Sequence, residues 1–259
     1  MADQPFRGRT VAITGAGGSL GQALLHRLHR QGASLIALTS SPAPLELLDD
    51  NGQSIPLQQI RWQCGQEEEL RPVLAGVDIL VINHGVNVHG DRSAEAVQRS
   101  LEVNALSSWR LLELFGSLAA ADGTSTADGA ANGASDGCSA SPRPSRELWM
   151  NTSEAEIQAA VSPLYEISKR LQGQLFSLRS LELAGPHLRL RRLVLGPFHS
   201  GLNPIGLMSA EFVAREVLRQ ARWNCGLVIV TPNPLTYLLM PIATASRWAY
   251  FQLVSRKAA

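Results

Sequence analysis

The stretch Thr14-Gly15-Ala16-Gly17-Gly18-Ser19-Leu20-Gly21 limits what this chain can fold into more than any other. A short apolar run, Val11-Ala12-Ile13, precedes it, and Leu20, Leu24, Leu25 and Leu28 come after it at helical spacing. Strand, glycine-rich turn and helix together are the context of a dinucleotide-binding fingerprint. Glycine permits the tight turn and lets backbone N–H groups come close to a pyrophosphate. The helix then points its unpaired N–H groups and partial positive charge at the same phosphates. A glycine-rich surface loop has the same composition, so the rest of the chain must discriminate.

Beyond the first helix, strand and helix patterns alternate to the end of the chain. Strands are expected at 10–14, 34–38, 60–64, 77–83, 147–152, 188–195 and 227–231, and helices at 19–31, 66–74, 93–120, 163–184 and 210–222. The segment Val77-Asp78-Ile79-Leu80-Val81-Ile82 is nearly all apolar, as a parallel strand covered on both faces requires. This pattern predicts an α/β fold, a Rossmann-like doubly wound parallel sheet of about seven strands in a single domain over residues 1–233. At 259 residues and 45% hydrophobic content the chain can bury such a core. Ala121 to Arg146 is rich in Gly, Ser, Ala, Asp and Thr and lacks a large apolar residue, so it is expected to be a disordered surface insertion. Residues 234–259 form an apolar C-terminal helical extension, with Pro241 expected to kink it or split it in two.

Composition excludes several classes. A net charge of +1 gives no electrostatic case for nucleic acid. Cys64, Cys138 and Cys225 lie too far apart for metal-ligand spacing, and read as two buried thiols and a loop thiol in a reducing, cytoplasmic compartment. The first residues show no signal peptide, and no apolar run is long enough to span a bilayer. After the second strand, Thr39-Ser40-Ser41 carries no acidic residue for the ribose hydroxyls of NAD and leaves room for a 2′-phosphate. NADP is therefore favoured over NAD, although no basic residue stands beside those hydroxyls in the sequence.

Tyr165 and Lys169, four residues apart, share a helix face. A neighbouring ammonium lowers a phenol's pKa, which would make the pair a proton donor and acceptor tuned toward neutral pH. A plain surface pair has the same spacing. Ser153 comes just after the preceding strand, where a hydroxyl could bond a substrate oxygen; with Glu156 three residues on, it also has the spacing of a helix cap. Asn104 lies inside the helix expected at 93–120, where an asparagine is ordinarily solvated or locally bonded. Asn83-His84-Gly85 closes the fourth strand, at the sheet edge where ligands sit, and His84 on its own reads as a loop histidine without chemistry.

Taken together, these residues resemble the short-chain dehydrogenases/reductases from Thr10 to about Thr231. Thr14, Gly15, Gly18 and Gly21 are similar to the T-G-x-x-G-x-x-G form of the glycine motif, with Ser19 where the commoner form has glycine. Asn83-His84-Gly85 resembles the N-N-A-G strand end with histidine substituted. Val103-Asn104 resembles the asparagine of the catalytic tetrad, and Asn151-Thr152-Ser153-Glu154-Ala155 the segment bearing its serine. Tyr165-x-x-x-Lys169 matches the active-site pair, and Gly196-Pro197 to Ser200 the turn that touches nicotinamide, in reversed order.

The resemblance implies hydride transfer between nicotinamide and a carbonyl or alcohol carbon. In it Tyr165 moves the proton, Lys169 lowers the tyrosine's pKa and holds the ribose, and Ser153 orients the substrate, with Thr152 the other candidate hydroxyl. Asn104 holds a water that links Lys169 to solvent. Cofactor contacts would come from Thr14, Gly15, Gly17, Gly18, Ser19, Leu20, Gly21, Thr39, Ser40, Asn83, His84, Gly85, Tyr165, Lys169, Pro197 and Ser200, with no metal. A homo-oligomer is also implied. Leu202, Ile205, Leu207 and Met208 suggest an apolar pocket and hence an apolar small-molecule substrate. A non-catalytic NADP-binding sensor or scaffold is one alternative. A membrane-associated lipid-handling protein is another, motivated by aromatic and basic residues in 234–259 that suit a membrane interface; the preferred expectation for that segment is instead that it folds back over the substrate pocket or forms a dimer contact.

Overall fold

A computed structural model describes residues 4–131 and 144–255. Strand β1 (Thr10–Thr14) leads through the glycine turn into α1 (Ser19–Arg30), then β2 (Ser34–Thr39) and β3 (Gln58–Arg61). A 3-10 turn (Glu67–Leu70) and the short α2 (Arg71–Leu74) precede β4 (Ile79–Ile82). Next come α3 (Ala94–Leu101), a π turn (Glu102–Leu106) and α4 (Ser107–Ala131). The chain continues through β5 (Arg146–Ser153), α5 (Pro163–Leu183), β6 (Leu188–Leu195), α6 (Ala210–Arg222), β7 (Leu227–Val230) and α7 (Pro234–Val254).

All seven strands are parallel, in the order β3-β2-β1-β4-β5-β6-β7. The order reverses between β1 and β4, and the crevice at their carboxyl ends is where this architecture binds ligands. One face of the sheet buries Leu24, Leu25 and Leu28 of α1 with Val213 and Val217 of α6. The other buries Leu111, Leu112 and Phe115 of α4 with Phe176 of α5. Central strands therefore have two covered faces, which accounts for the unbroken Ile79-Leu80-Val81-Ile82.

Several expectations need correction. The helix expected to end near Ala120 is longer, α4 running on to Ala131. At the far end of the polar stretch that begins at Ala121, Arg146 opens β5 and is 3% exposed. Its guanidinium donates to the carbonyls of Leu74, Val77 and Ala75 and pairs with Asp122 at 2.7 Å. An arginine can be buried when its donors are used in this way. Residues 132–143, including Cys138, lie outside those described. Cys64 and Cys225 are half-buried free thiols rather than buried ones. The third strand comes earlier than expected and the helix of 66–74 is half 3-10. The helix expected unbroken from 93 is interrupted by the π turn. Helix α7 runs through Pro241 without dividing.

Candidate active site

The glycine turn is built by close backbone approach. Gly15 has φ +62°, and a Cβ there would lie 2.8 Å from the Cα of His84. A Cβ on Gly21 would lie 2.5 Å from the carbonyl oxygen of Gly15. Gly18 precedes α1 and provides no side-chain cap, so the first N–H groups of the helix are left for a ligand. These features fit a dinucleotide pyrophosphate.

Thr14 joins the turn to the end of β4. Its hydroxyl accepts the backbone N–H groups of Asn83 (2.8 Å) and His84 (3.2 Å). It also donates to the Val81 carbonyl (3.4 Å) and lies 2.8 Å from Nδ1 of His84. Burial and the charge of Lys169 bring the pKa of His84 down to about 4, so the ring stays neutral. His84 is thus a buried brace packed edge-on against Trp62, not a solvent-facing loop residue.

At the carboxyl end of β5 and the first turns of α5, Ser153, Tyr165 and Lys169 converge. The Thr152 hydroxyl donates to the carbonyl of Leu193 within the sheet, whereas the Ser153 hydroxyl bears on the Tyr165 phenol and also accepts from Ala155 N–H. The cap reading of Ser153 thus holds on its own side, but Glu156 does not reach back and instead pairs with Arg192. Lys169 is 4% exposed; its ammonium donates to the carbonyl of Asn151 (3.2 Å) and to Oε1 of Gln172 (3.0 Å).

The sequence expectation that Lys169 lowers the pKa of Tyr165 does not hold in this arrangement. Burial pushes the phenol's pKa up, the Ser153 hydroxyl opposes this and Glu154 adds to it. The ammonium lies 5.8 Å from the ring centre and is itself destabilised: desolvation brings its pKa down to about 8 against the pull of Glu156. Helical spacing shows that two side chains share a face, but says nothing of the dielectric around them.

Asn104 occupies the middle of the π turn, fully buried. Its Oδ1 accepts from Val86 N–H (2.7 Å), and its Nδ2 donates to the Val86 carbonyl and to Ser168 Oγ. The side chain is therefore committed to clamping the loop after β4 onto α5. Hydrogen bonds also connect Lys169, through Gln172 and Ser108, to the Asn104 backbone. Gln172 Nε2 donates to Ser108 Oγ (3.0 Å), and Ser108 donates to the Asn104 carbonyl (3.1 Å). Gln172 belongs to no motif in the sequence, although it lies one turn beyond Lys169 on the same face. Gly85 keeps this region open, since a Cβ there would lie 3.2 Å from Asn104 Oδ1 and 4.0 Å from the Lys169 ammonium.

Two further positions bear on ligand choice. Arg61 faces Thr39 across the β2–β3 register, an exposed cation that sequence order alone leaves 22 residues away. The loop after β6 folds on itself, the Pro197 carbonyl accepting from Leu207 N–H and Ser200 bridging to Asn203. Leu202, Ile205 and Leu207 consequently turn outward, and only Met208 packs inward, so these residues do not form the enclosed apolar pocket expected of them.

Comparison with known proteins agrees with this geometry. Residues 11–127 match the NAD dependent epimerase/dehydratase family. A short-chain dehydrogenase from Burkholderia cenocepacia, solved with NADP, superposes with a TM-score of 0.70 at 16% identity, covering 97% of this chain and 99% of that one. The chain has the fold of the short-chain dehydrogenases/reductases. A bulky-bulky ketone specific alcohol dehydrogenase from Comamonas testosteroni also gives a TM-score of 0.70, at 14% identity and 97% coverage of each chain. In sequence, the chain is 40% identical over 252 residues to the monoglucosyldiacylglycerol epimerase of Synechocystis. That match takes in 97% of this chain and 56% of the relative's length, so the chain spans little more than half of that protein.

Proposed function

We propose that this chain is an NAD(P)-dependent oxidoreductase of the epimerising type, acting on a ring hydroxyl of a glycolipid's sugar headgroup. The observation that carries the reading is the 40% identity to the glycolipid epimerase, which extends across the Ser153, Tyr165 and Lys169 site. A nicotinamide bound at the glycine turn would supply the hydride acceptor and donor. Inverting a carbinol carbon by this chemistry removes a hydride from carbon and a proton from oxygen, giving a ketone. Both then return, the hydride to the opposite face, with no net redox change. Tyr165 must act once as base and once as acid, and a phenol in contact with Ser153 can do both. Ser153 orients the oxygen, and Lys169, held by Asn151 and Gln172, is placed to hold the nicotinamide ribose.

NADP as the preferred cofactor is supported by the absence of an acidic residue after β2 and by Arg61 beside Thr39. Arg61→Ala should weaken NADP binding about tenfold or more and leave NAD nearly unchanged, as read by fluorescence titration. Equal losses for both, or tighter NAD binding by the native chain, would remove this preference.

The central test incubates the protein with monoglucosyldiacylglycerol and oxidised cofactor, then identifies the sugar released from the lipid. An epimeric hexose is expected from the native chain. Tyr165→Phe should lower the rate by about 10²–10⁴ while still binding cofactor. Glucose alone after prolonged incubation would overturn the assignment. Net reduction of cofactor with a stable keto-lipid would instead mark a simple dehydrogenase.

A further inference from the structure

Helix α7 packs on the fold through Thr236, Met240 and Arg247, and little else of it is covered. Thr236 donates to the Glu154 carboxylate and accepts from Gln158, and Arg247 reaches Glu156 at 3.3 Å. The helix is thereby fastened to the short segment directly after Ser153. Its opposite side presents Leu235, Leu238, Ile242, Trp248, Tyr250 and Leu253, all more than half exposed. A helix this apolar on its solvent side has something covering it. The loop after β6 leaves the same edge of the sheet and adds Leu202, Ile205 and Leu207.

The charges indicate what the cover is. Glu216 is the last acidic residue in the chain, and the loop from Gly196 to Ser209 has none either. Arg256 and Lys257 come directly after α7, although they lie outside the described residues. Exposed Trp and Tyr rings among aliphatic side chains, with basic residues at the end, match the headgroup layer of an anionic membrane. A second copy of the chain would bring two such faces together and offer those cations no acidic partner. Among the described residues no helix is long and apolar enough to cross a bilayer, and α7 is tied along one side to the protein, so it would lie in the interface plane.

We infer that the outward side of α7, with the loop after β6, seats the protein on an anionic bilayer and holds the Ser153–Tyr165 cleft at the headgroup layer. The inference rests on the glycolipid reading above, because a diacylglycerol substrate keeps its chains in the membrane while its sugar reaches the site. Helix α7 would then set access to substrate without touching it.

Flotation of the full chain with phosphatidylcholine vesicles, with and without phosphatidylglycerol, tests this. The protein should float with the anionic vesicles and dissociate as salt rises. Leu238→Glu with Ile242→Glu should cut vesicle partition by about tenfold per side chain, at unchanged cofactor affinity and unchanged turnover of a short-chain, water-soluble glucosyl lipid. Native protein that remains in the aqueous fraction overturns the inference. So does a double variant that turns a dimer into a monomer with vesicle binding unaltered, which would make the face a subunit interface. Turnover of the soluble lipid without flotation removes the docking surface and leaves the proposed function. Flotation without epimerisation of any glycolipid does the reverse.

Discussion

Burying Lys169 should leave a signature in how stability varies with pH. Its ammonium is desolvated between β5 and α5, and its pKa falls from 10.5 to about 8 in the folded protein. The unfolded chain therefore binds the proton more tightly. Below pH 8 the folded state carries the full penalty of a buried cation, about 3 kcal/mol. As pH rises from 8 to 10.5 the folded lysine loses its charge before the unfolded one does, and the penalty fades. Stability contributed by this group thus increases with pH across that window. Lys169→Met removes the charge at similar volume, but leaves the Asn151 carbonyl and Gln172 Oε1 without their donor, at about 1–3 kcal/mol each. At pH 7 gain and loss offset one another, so a single measurement there is uninformative. The difference between the two chains is the informative quantity: from pH 7 to 10 the native protein should gain about 2–3 kcal/mol relative to the variant. Denaturant unfolding of both proteins at a series of pH values measures it. Tyr165 and Cys64, whose pKa values burial raises, are present in both chains and largely cancel. Parallel stability curves would refute the assignment of a charged, desolvated lysine.

Gly21→Ala should abolish cofactor binding measured by calorimetry while the chain still folds, because the added Cβ meets the Gly15 carbonyl at 2.5 Å and the Ala16 Cα at 2.8 Å, both backbone. Near-native affinity in that variant would mean the turn has room to spare. Gln172→Met removes an acceptor from the ammonium and should lower the Lys169 pKa by roughly one further unit, seen by NMR titration of its Nζ. An unchanged titration would make Gln172 a packing residue rather than one that positions Lys169.

The parts of this protein that are legible in its sequence are those governed by local periodicity. Apolar spacing places seven strands, and the glycine turn identifies itself by what a backbone must do near a phosphate. Other features depend on what lies across space. Arg61 approaches Thr39 only through strand register, which no reading along the chain contains. Asn104 looks like a solvated helical residue as long as a single period runs from Val97 to Phe115, and the π turn shifts phase between them: Val97 is 37% exposed while Phe115 is fully buried. The end of α4 is not legible either, because small side chains carry no period, and Asp122 meets Arg146 only across space. For Tyr165 and Lys169 the spacing is right and the expected electrostatics wrong, since burial rather than mutual charge dominates both groups.

The π turn also bears on how this helix could change. It holds one residue more than a regular helical turn, so removing a single residue between Glu102 and Leu106 would restore an unbroken α-helical ladder. Such a deletion would repair backbone hydrogen bonds and at the same time rotate everything before it by about 100° relative to α4. Asn104 could not then face Val86 and Ser168 together. The helix would become more regular as the loop over Lys169 came loose, so selection for helix stability and selection for the site act on this one residue in opposite directions.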